Sequence, residues 1–283
     1  MRRPDPPPPS GLLVRAHDAP GATLVVRVGP GDGGVLGLGR ELARLDPRWR
    51  KIAFYGEDRD GTLRYRFVQA LPGGRFDFRA GCGHSLLACV VAAGRPGPVT
   101  VRALTTGDTV LCEPEPDGGA YTLHFLRPPD APGTLPTGRP RDRLLGVPAS
   151  LVAYGNPYVF VEARRVRGHA HLLALRAEAA RLLGHPPHSA LPKIATVDAT
   201  SAGLAVRALT VGGWHPRLAL TGAAALAAAG ALPGTVVPPV RGPVRTPGGT
   251  VTVSARPDRV SVHHKRATVL RACPLPWRIH ATA

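Results

Sequence analysis

Two segments of the chain are apolar on every face that a helix would present. The first, CGHSLLACVVAAG, runs from Cys82 to Gly94, and the second, TGAAALAAAG, runs from Thr221 to Gly230. In each segment the second residue is a glycine, which permits a tight turn at the start of the helix. A helix that is apolar all round lies inside a protein, so we expect one buried helix in each half of the chain. Both segments are too short, or too interrupted, to span a bilayer, so no membrane partner is expected.

Strand patterns and two further helices surround these buried segments. Gly37–Leu45 and His169–Leu183 have apolar residues at helical spacing between polar ones, which is typical of surface helices. A pattern of many strands with one central helix in each half predicts an α+β fold of two domains. Runs that favour strands cover residues 23–28, 52–55, 63–70, 100–104, 121–126, 158–161, 250–255 and 260–263.

A weak internal repeat relates the two halves. Lys51–Ala53 recurs as Lys193–Ala195, and each KIA triplet precedes a buried helix, by 31 residues to Cys82 and by 28 residues to Thr221. Between the halves, Arg127–Asp142 is rich in proline and glycine, which cannot continue a helix or a central strand. We interpret it as a linker. The predicted divisions are a disordered proline-rich tail over 1–10, an N-terminal domain over 11–143 and a C-terminal domain over 144–283.

The charge of the chain is high but dispersed. The 283 residues include 36 Lys and Arg against 19 Asp and Glu, a formal net charge of +17. Nucleic-acid-binding proteins gather basic residues on one face, with aromatic residues or a recognisable module. Here the arginines are scattered and aromatic residues make up 5% of the chain, which argues against a nucleic-acid partner. A positive field that draws a small acidic substrate fits the composition better.

The first ten residues, MRRPDPPPPS, lack the apolar core of a signal peptide, so a cytoplasmic location is expected. The four cysteines are widely spaced and form no CxxC pair, so we expect free thiols and no metal site. No cofactor motif is present, because the glycine-rich stretch 29–39 lacks the lysine of a phosphate-binding loop. The oligomeric state stays open, with a homodimer as one possibility.

Cys82 is the strongest candidate for chemistry. A cysteine at the N-terminus of a helix lies at the positive end of the helix dipole, which favours its thiolate. The N–H groups of Gly83, His84 and Ser85 would bind a substrate carboxylate and stabilise an enolate formed beside it. The alternative is a small apolar cysteine that precedes a buried helix, as we expect for Cys89 within the helix.

Several other residues are candidates for substrate binding. His215 would reach the cleft or cap a turn beside Pro216. Asn156, before a proline, would present its amide to the substrate or start an ordinary turn. On the second buried helix, Thr221 with the N–H groups of Gly222 and Ala223 would hold a carboxylate.

Several motifs, in order, resemble the methylaconitate isomerases of the diaminopimelate epimerase-like superfamily over residues 45 to 270. They are Lys51–Ala53, Cys82-Gly83, Gly155–Val161 (GNPYVFV), Pro192–Ala195, His215, Thr221–Ala223, Leu232–Val237 (LPGTVV) and Arg245–Gly249. The resemblance implies two pseudo-symmetric β-roll domains, each wrapped around a central helix, with the substrate cleft between them. It also implies a 1,3-proton shift in an unsaturated di- or tricarboxylate, with Lys51 and Cys82 as acid–base residues.

Two positions depart from that pattern, the first strand and the helix start, where Cys82–Ser85 reads CGHS and is closer to the CGH of proline racemases. The first strand of the family carries RGGTSKG, whereas Arg15–Gly21 reads RAHDAPG, which alters substrate recognition there. Racemases of this fold carry a second cysteine on the opposing helix, a place that we assign here to Thr221. One thiol predicts an isomerase without racemase activity.

Our leading hypothesis is therefore a cofactor-independent isomerase that moves a double bond in a small unsaturated carboxylic acid similar to aconitate or methylaconitate. A natural-product tailoring enzyme, such as a cyclase or tautomerase, is the first alternative, and a non-catalytic carboxylate-binding protein is the second. A solvated lysine is a weak base at neutral pH. Lys51 is therefore a base only if its surroundings depress its pKa, and otherwise it anchors a carboxylate.

Overall fold

The computed structural model of the chain describes residues 10–29, 35–116, 118–186, 189–201, 203–210 and 213–275. The predicted proline-rich tail, apart from Ser10, lies outside these residues. Four α-helices occur in the described part: α1 (Val35–Leu45), α2 (Gly83–Ala93), α3 (His169–Leu182) and α4 (Leu220–Ala231). The two helices predicted to be buried are α2 and α4. None of the described helices is long and apolar enough to cross a membrane.

The strands form two separate sheets. In chain order they are β1 (Ser10–Ala16), β2 (Thr23–Arg27), β3 (Lys51–Glu57), β4 (Leu63–Ala70), β5 (Phe76–Asp77), β6 (Val99–Ala103), β7 (Thr109–Pro114), β8 (Tyr121–Phe125), β9 (Asp142–Leu144), β10 (Val147–Tyr154), β11 (Asn156–Glu162), β12 (Lys193–Thr200), β13 (Gly203–Thr210), β14 (Gly213–Trp214), β15 (Val244–Thr246), β16 (Gly249–Val251), β17 (Val253–Arg256), β18 (Arg259–Lys265) and β19 (Ala267–Pro274). The first sheet has the order β17-β18-β8-β7-β6-β4-β3-β2-β1-β19, with β5 beside β4. The second has the order β16-β15-β13-β12-β11-β10-β9, with β14 beside β13. Both sheets mix parallel and antiparallel neighbours, and the α+β class is confirmed.

Each sheet packs on a central helix, and the two packing units share one core. Helix α2 contacts β1, β2, β3 and β19, whereas α4 contacts β10 and β11 of the second sheet and β17 and β18 of the first. Buried side chains from both helices and both sheets belong to a single hydrophobic cluster. Helix α1 packs on β3 and β4, and α3 packs on β9 and β12, which leaves these two helices at the periphery.

The division of the chain at 143/144 does not follow the sheets. Residues 253–274 form β17, β18 and β19, which hydrogen-bond into the first sheet. The expected strand over 250–255 is two strands, β16 and β17, that separate at Thr252 and belong to different sheets. Strands β18 and β19 pair with β8 and β1, which are distant along the chain. Local patterns of hydrophobicity carry no information about such pairings. Residues 127–141 contain neither helix nor strand, whereas Asp142, the last residue of the predicted linker, begins β9.

Candidate active site

The N-terminus of α2 projects from the core into a cavity. Cys82 is the residue before the first helical turn and has an extended backbone, with φ of −137°. Its carbonyl oxygen accepts a hydrogen bond from the N–H of Leu86 (2.9 Å) and another from the hydroxyl of Tyr65 (2.8 Å). These two bonds fix the start of the helix, so the Cys82 side chain has a defined position.

The cavity has a volume of about 350 Å³ and contains residues of both repeats. Its cationic side chains are Arg48, Arg50, Lys51 and Lys193, and no carboxylate is among its described lining residues. The guanidinium of Arg48 is ion-paired with Asp46 (2.8 Å) outside the lining. The two arginines are exposed, whereas both lysines are half-buried. A cavity with this charge favours an anionic ligand.

Cys82 faces this cavity with a thiol suited to ionise. Burial raises the pKa of the thiol, but the positive charges of Lys51 and Lys193 and the polar groups of Ser85 outweigh it and leave the pKa below its usual value. Cys82 is partly accessible, whereas Cys89, Cys112 and Cys273 are buried. The thiolate is the form that takes up a proton, so Cys82 has the location of a base and a pKa shifted in the direction that favours that form.

Lys193 is a cavity residue that the sequence analysis did not select. It begins β12 as Lys51 begins β3, so the KIA repeat brings two lysines to one cavity. Burial lowers the pKa of Lys193, and the charge of Lys51 lowers it further. Its ammonium nitrogen lies 6.0 Å from the centre of the Tyr158 ring. The KIA repeat was the sequence signal for Lys193, because equivalent residues of two similar halves lie close together where the halves pack against each other.

His84 and His215 form a stacked pair beside the lysines. Their ring centres are 6.1 Å apart with planes inclined by 16°, and each residue is 3% exposed. Burial, followed by the charges of Lys193 and Lys51, lowers the pKa of His215 to about 4. Burial and the neighbouring His215 hold the pKa of His84 well below its usual value. Both rings are therefore neutral at pH 7, and Nε2 of His84 has no hydrogen-bond partner among the described residues.

Asn156 does not present its amide to the cavity. Its side-chain oxygen accepts a hydrogen bond from the N–H of Gly81 (2.8 Å), and its nitrogen donates to the carbonyl of Gly81 (2.7 Å). The amide is fully buried and joins β11 to the segment that precedes Cys82. We therefore correct the expected role: Asn156 positions the thiol through Gly81, because the backbone of Gly81 already satisfies both ends of the amide.

The three residues expected to form a carboxylate site on α4 do not line the cavity. Thr221, Gly222 and Ala223 are buried and do not line the cavity. A Cβ added at Gly222 would lie 2.6 Å from the Tyr158 ring, so this turn is packed against β11. Helix α4 begins one residue before Thr221, and the residue that precedes its first turn is Ala219, which does line the cavity. Ala219 is therefore the counterpart of Cys82, and the earlier assignment to Thr221 is wrong.

Two further residues of the α2 start are used for packing. The Ser85 hydroxyl lies 2.8 Å from the hydroxyl of Thr23 and is fully buried, so its contribution to the site is electrostatic. A Cβ on Gly83 would lie 2.6 Å from Cδ2 of Leu220, so this glycine permits the close approach of α2 and α4. Neither Gly83 nor Ser85 lines the cavity, whereas the ring of His84 does.

The altered loop between β1 and β2 is part of the site. Pro20, Gly21 and Ala22 line the cavity. Asp18 anchors this loop through its carboxylate, which lies 2.7 Å from Nζ of Lys265 and 3.3 Å from Nε of Arg217. The register of β18 against β8 shifts between Val262 and Lys265, and the Lys265 side chain is 4% exposed. The ion pair therefore joins the cavity loop to β18.

No group of three or more His, Cys, Asp or Glu side chains in the described part of the chain is arranged to hold a metal ion. The polar residues of the cavity are cations, neutral histidines, Gln69 and one thiol. This set of groups can bind a carboxylate and move a proton.

Two sheets packed on central helices, with a cavity at the start of α2, define the diaminopimelate epimerase-like fold, and the chain has that fold. The chain is similar to the crystal structure of a methylitaconate Δ-isomerase, with 18% identity, a TM-score of 0.63 and coverage of 94% of each chain. It is also similar to a hydroxyproline epimerase from Agrobacterium vitis with bound trans-4-hydroxy-L-proline, with 15% identity, a TM-score of 0.60 and coverage of 94% of this chain and 91% of that one. A third similar structure is a phenazine biosynthesis protein of the PhzF family from Bacillus anthracis, with 12% identity, a TM-score of 0.57 and coverage of 95% and 99%. No protein-family model and no curated protein sequence matches the chain.

Proposed function

We propose that the protein is an isomerase that moves a double bond in a small unsaturated carboxylic acid by a 1,3-proton shift, without a cofactor. One observation carries the proposal: the thiol of Cys82 faces a cavity that Lys51, Lys193 and Arg50 line together with Arg48, which is ion-paired with Asp46, and no carboxylate is among the described lining residues. A substrate with one or more carboxylates matches that charge. The similarity to a methylitaconate isomerase supports the same class of reaction.

The geometry supports a simple division of labour. Cationic side chains and the N–H groups at the start of α2 hold the carboxylate. The Cys82 thiolate removes a proton from a carbon conjugated with the double bond, and the resulting charge spreads onto the carboxylate, where the same donors stabilise it. A second acid–base residue returns a proton to the far end of the three-carbon unit, and the double bond moves by one position. From the sequence, Lys51 is either that residue or the carboxylate anchor.

The position of Ala219 supports an isomerase over a racemase. Inversion at one carbon needs an acid on the face opposite to the base, and Ala219, the counterpart of Cys82 on α4, has no ionisable group. We therefore expect no inversion of free amino acids such as proline. The chain shares its fold with the hydroxyproline epimerase, but this similarity does not imply that it catalyses an epimerisation.

A tailoring enzyme that acts on a different unsaturated acid is the second candidate. The observation that favours it is the β1–β2 loop, which lines the cavity, departs from the family pattern and is held by Asp18. On this alternative, the same proton transfer would serve a cyclisation or a tautomerisation. A non-catalytic carboxylate-binding protein is the remaining candidate.

The test measures double-bond movement directly. Purified protein is incubated with trans-aconitate and related acids, and ultraviolet absorbance and NMR follow the change in conjugation. We expect turnover that is lost in Cys82→Ala and Cys82→Ser, while Thr221→Val, which alters a threonine outside the cavity, retains it. Binding without turnover in the unmodified protein would support the binding-protein alternative. Inversion of L-proline in deuterium oxide would overturn the one-thiol interpretation.

A further inference from the structure

The imidazole ring of His215 is held in one orientation at the wall of the cavity. The N–H of His215 donates a hydrogen bond to the carbonyl oxygen of Ala208 on β13 (2.8 Å), which fixes the backbone. The N–H of Arg217 donates to Nδ1 of the ring (3.1 Å), and the ring of His84 stacks against it. His215 is 3% exposed and lines the cavity. The ring therefore has little freedom to turn.

The hydrogen bond from Arg217 determines which ring nitrogen carries the proton. A nitrogen that accepts a hydrogen bond has a free lone pair, so Nδ1 of His215 is unprotonated. An imidazole with an unprotonated Nδ1 is neutral and has its one proton on Nε2. This Nε2–H donor has no partner among the described residues, and, unlike Nε2 of His84, it is not closed off by the protein. It therefore opens to the cavity.

Arg217 also connects the histidine to the loop between β1 and β2. Its backbone N–H holds the ring of His215, and Nε of its side chain lies 3.3 Å from one carboxylate oxygen of Asp18. The other oxygen of Asp18 accepts a hydrogen bond from Nζ of Lys265 (2.7 Å), and both of these side chains are largely buried. The ring and the cavity loop thus share one set of contacts, which gives the Nε2–H donor a defined position.

The groups around this donor define what it can bind. The positive charges of Lys193 and Lys51 act on the ring of His215, and no carboxylate is among the described residues of the cavity lining. A ligand atom that contacts Nε2–H must accept a hydrogen bond, and an atom that lies among these cations is stabilised if it carries negative charge. A carboxylate oxygen of the substrate satisfies both conditions.

We propose that His215 is a catalytic residue, which donates a hydrogen bond from Nε2 to a carboxylate oxygen of the substrate. The inference rests on the function proposed above and names a donor for the charged intermediate of that reaction. When the Cys82 thiolate removes a proton from carbon, negative charge grows on the carboxylate oxygens. A fixed N–H donor therefore binds the intermediate more tightly than the substrate. His215 keeps its proton throughout, and both proton transfers at carbon stay with Cys82 and the second acid–base residue.

Asparagine and glutamine separate the two ring nitrogens of His215. The glutamine amide reaches the position of Nε2 and supplies an N–H donor there, whereas the shorter asparagine amide reaches only that of Nδ1. We expect His215→Asn to lower kcat by about 100-fold or more, with a smaller change in KM, because the donor acts mainly on the intermediate. His215→Gln should keep kcat within about tenfold of the unmodified protein.

The matched control is His171→Asn on α3. Nδ1 of His171 also accepts a backbone N–H, from Arg167 (3.0 Å), but His171 does not line the cavity. We therefore expect the control to leave kcat unchanged.

Nitrogen-15 NMR of the histidine-labelled protein tests the donor without relying on turnover. The signals of His215 are assigned by their loss in His215→Gln. At pH 7 the ligand-free protein should show the neutral ring with its proton on Nε2. Addition of trans-aconitate should shift the Nε2–H proton and slow its exchange with water, because the carboxylate accepts the hydrogen bond.

The outcomes distinguish the inference from the proposed function. A ring that is charged at pH 7, or that carries its proton on Nδ1, would overturn the inference. Isomerisation at full kcat in His215→Asn, or an equal loss of kcat in the asparagine and glutamine variants, would overturn it and leave the function standing. An Nε2–H signal that responds to trans-aconitate in a protein without turnover would overturn the function and retain the donor as a ligand contact. A protein that neither binds nor isomerises any unsaturated acid would overturn both.

Discussion

The side-chain amide of Asn156 pairs with both backbone polar groups of Gly81, at 2.8 Å and 2.7 Å. The two residues are 75 positions apart in the chain, and the contact is fully buried. It therefore acts as a short piece of sheet pairing between β11 and the segment that leads to Cys82.

Replacement of Asn156 by alanine should destabilise the protein by about 2–5 kcal/mol, because a buried donor and a buried acceptor on Gly81 lose their partners. Urea unfolding followed by circular dichroism measures this change. Thr221→Val, which removes only the longer contact of 3.3 Å to the same amide, is the control and should cost about 1 kcal/mol or less. If Asn156→Ala lowers the free energy of unfolding by less than about 1 kcal/mol, the N–H and carbonyl groups of Gly81 find other hydrogen-bond partners in the variant.

The close approach of α2 and α4 gives a second prediction. In Gly83→Ala the new methyl group would lie 2.6–3.1 Å from atoms of the Leu220 side chain, so we expect a loss of about 1–3 kcal/mol in the free energy of unfolding. The matched control is Gly37→Ala in α1, where nothing lies within 4 Å of the added Cβ. Alanine is the better helix former, so this control should gain up to about 1 kcal/mol. Equal effects at the two sites would contradict the packing argument.

The reactivity of the cysteines gives a third prediction. Because the pKa of Cys82 is lowered while burial raises the pKa of Cys89 and Cys112, limiting iodoacetamide at pH 7 should label Cys82 first. Mass spectrometry of the labelled peptides across a pH series should give a midpoint below about 8.5, the value of a solvated thiol. Lys193→Gln removes a positive charge and should raise that midpoint. A midpoint that Lys193→Gln leaves unchanged would show that the lysine does not act on the thiol.

His215 should make stability depend on pH. Its folded-state pKa of about 4 lies below the ordinary value of 6.5, so the unfolded chain binds the proton more tightly. The neutral ring is favoured above pH 6.5, and stability is lost as the pH falls from about 6.5 towards 4. Between pH 7.5 and pH 5 the loss from this residue should be about 2 kcal/mol.

Urea unfolding at pH 7.5 and at pH 5 measures the contribution of His215 to the free energy of unfolding. His215→Gln should reduce the pH dependence by about 2 kcal/mol, because glutamine carries no proton that titrates. The neighbouring charges of Lys51, Lys193 and Asp18 remain in both proteins. An unchanged pH dependence in the variant would place the pKa of His215 near its ordinary value.

Local patterns in the sequence predicted the elements better than they predicted the contacts between them. The burial of α2 and α4 follows from their apolar composition, and β4 occupies the expected residues 63–70. Motif resemblance placed the counterpart of Cys82 on the second helix at Thr221. In the structure, α4 begins at Leu220, and the residue that lines the cavity is Ala219. Lys193 was visible in the repeat, but its entry into the cavity depends on how the two halves pack. Such packing arises from contacts between distant residues, which a local pattern does not encode.

The pairing of β17, β18 and β19 with the first sheet has a consequence for synthesis. Both edges of that sheet are strands from residues 253–274, and β19 pairs with β1, the first strand of the described chain. Helix α2 packs on β19, and α4 packs on β17 and β18. A nascent chain that has emerged only as far as residue 252 therefore exposes one apolar side of each central helix. Neither half can close its core until β17, β18 and β19 leave the ribosome, so the two halves complete their folding together.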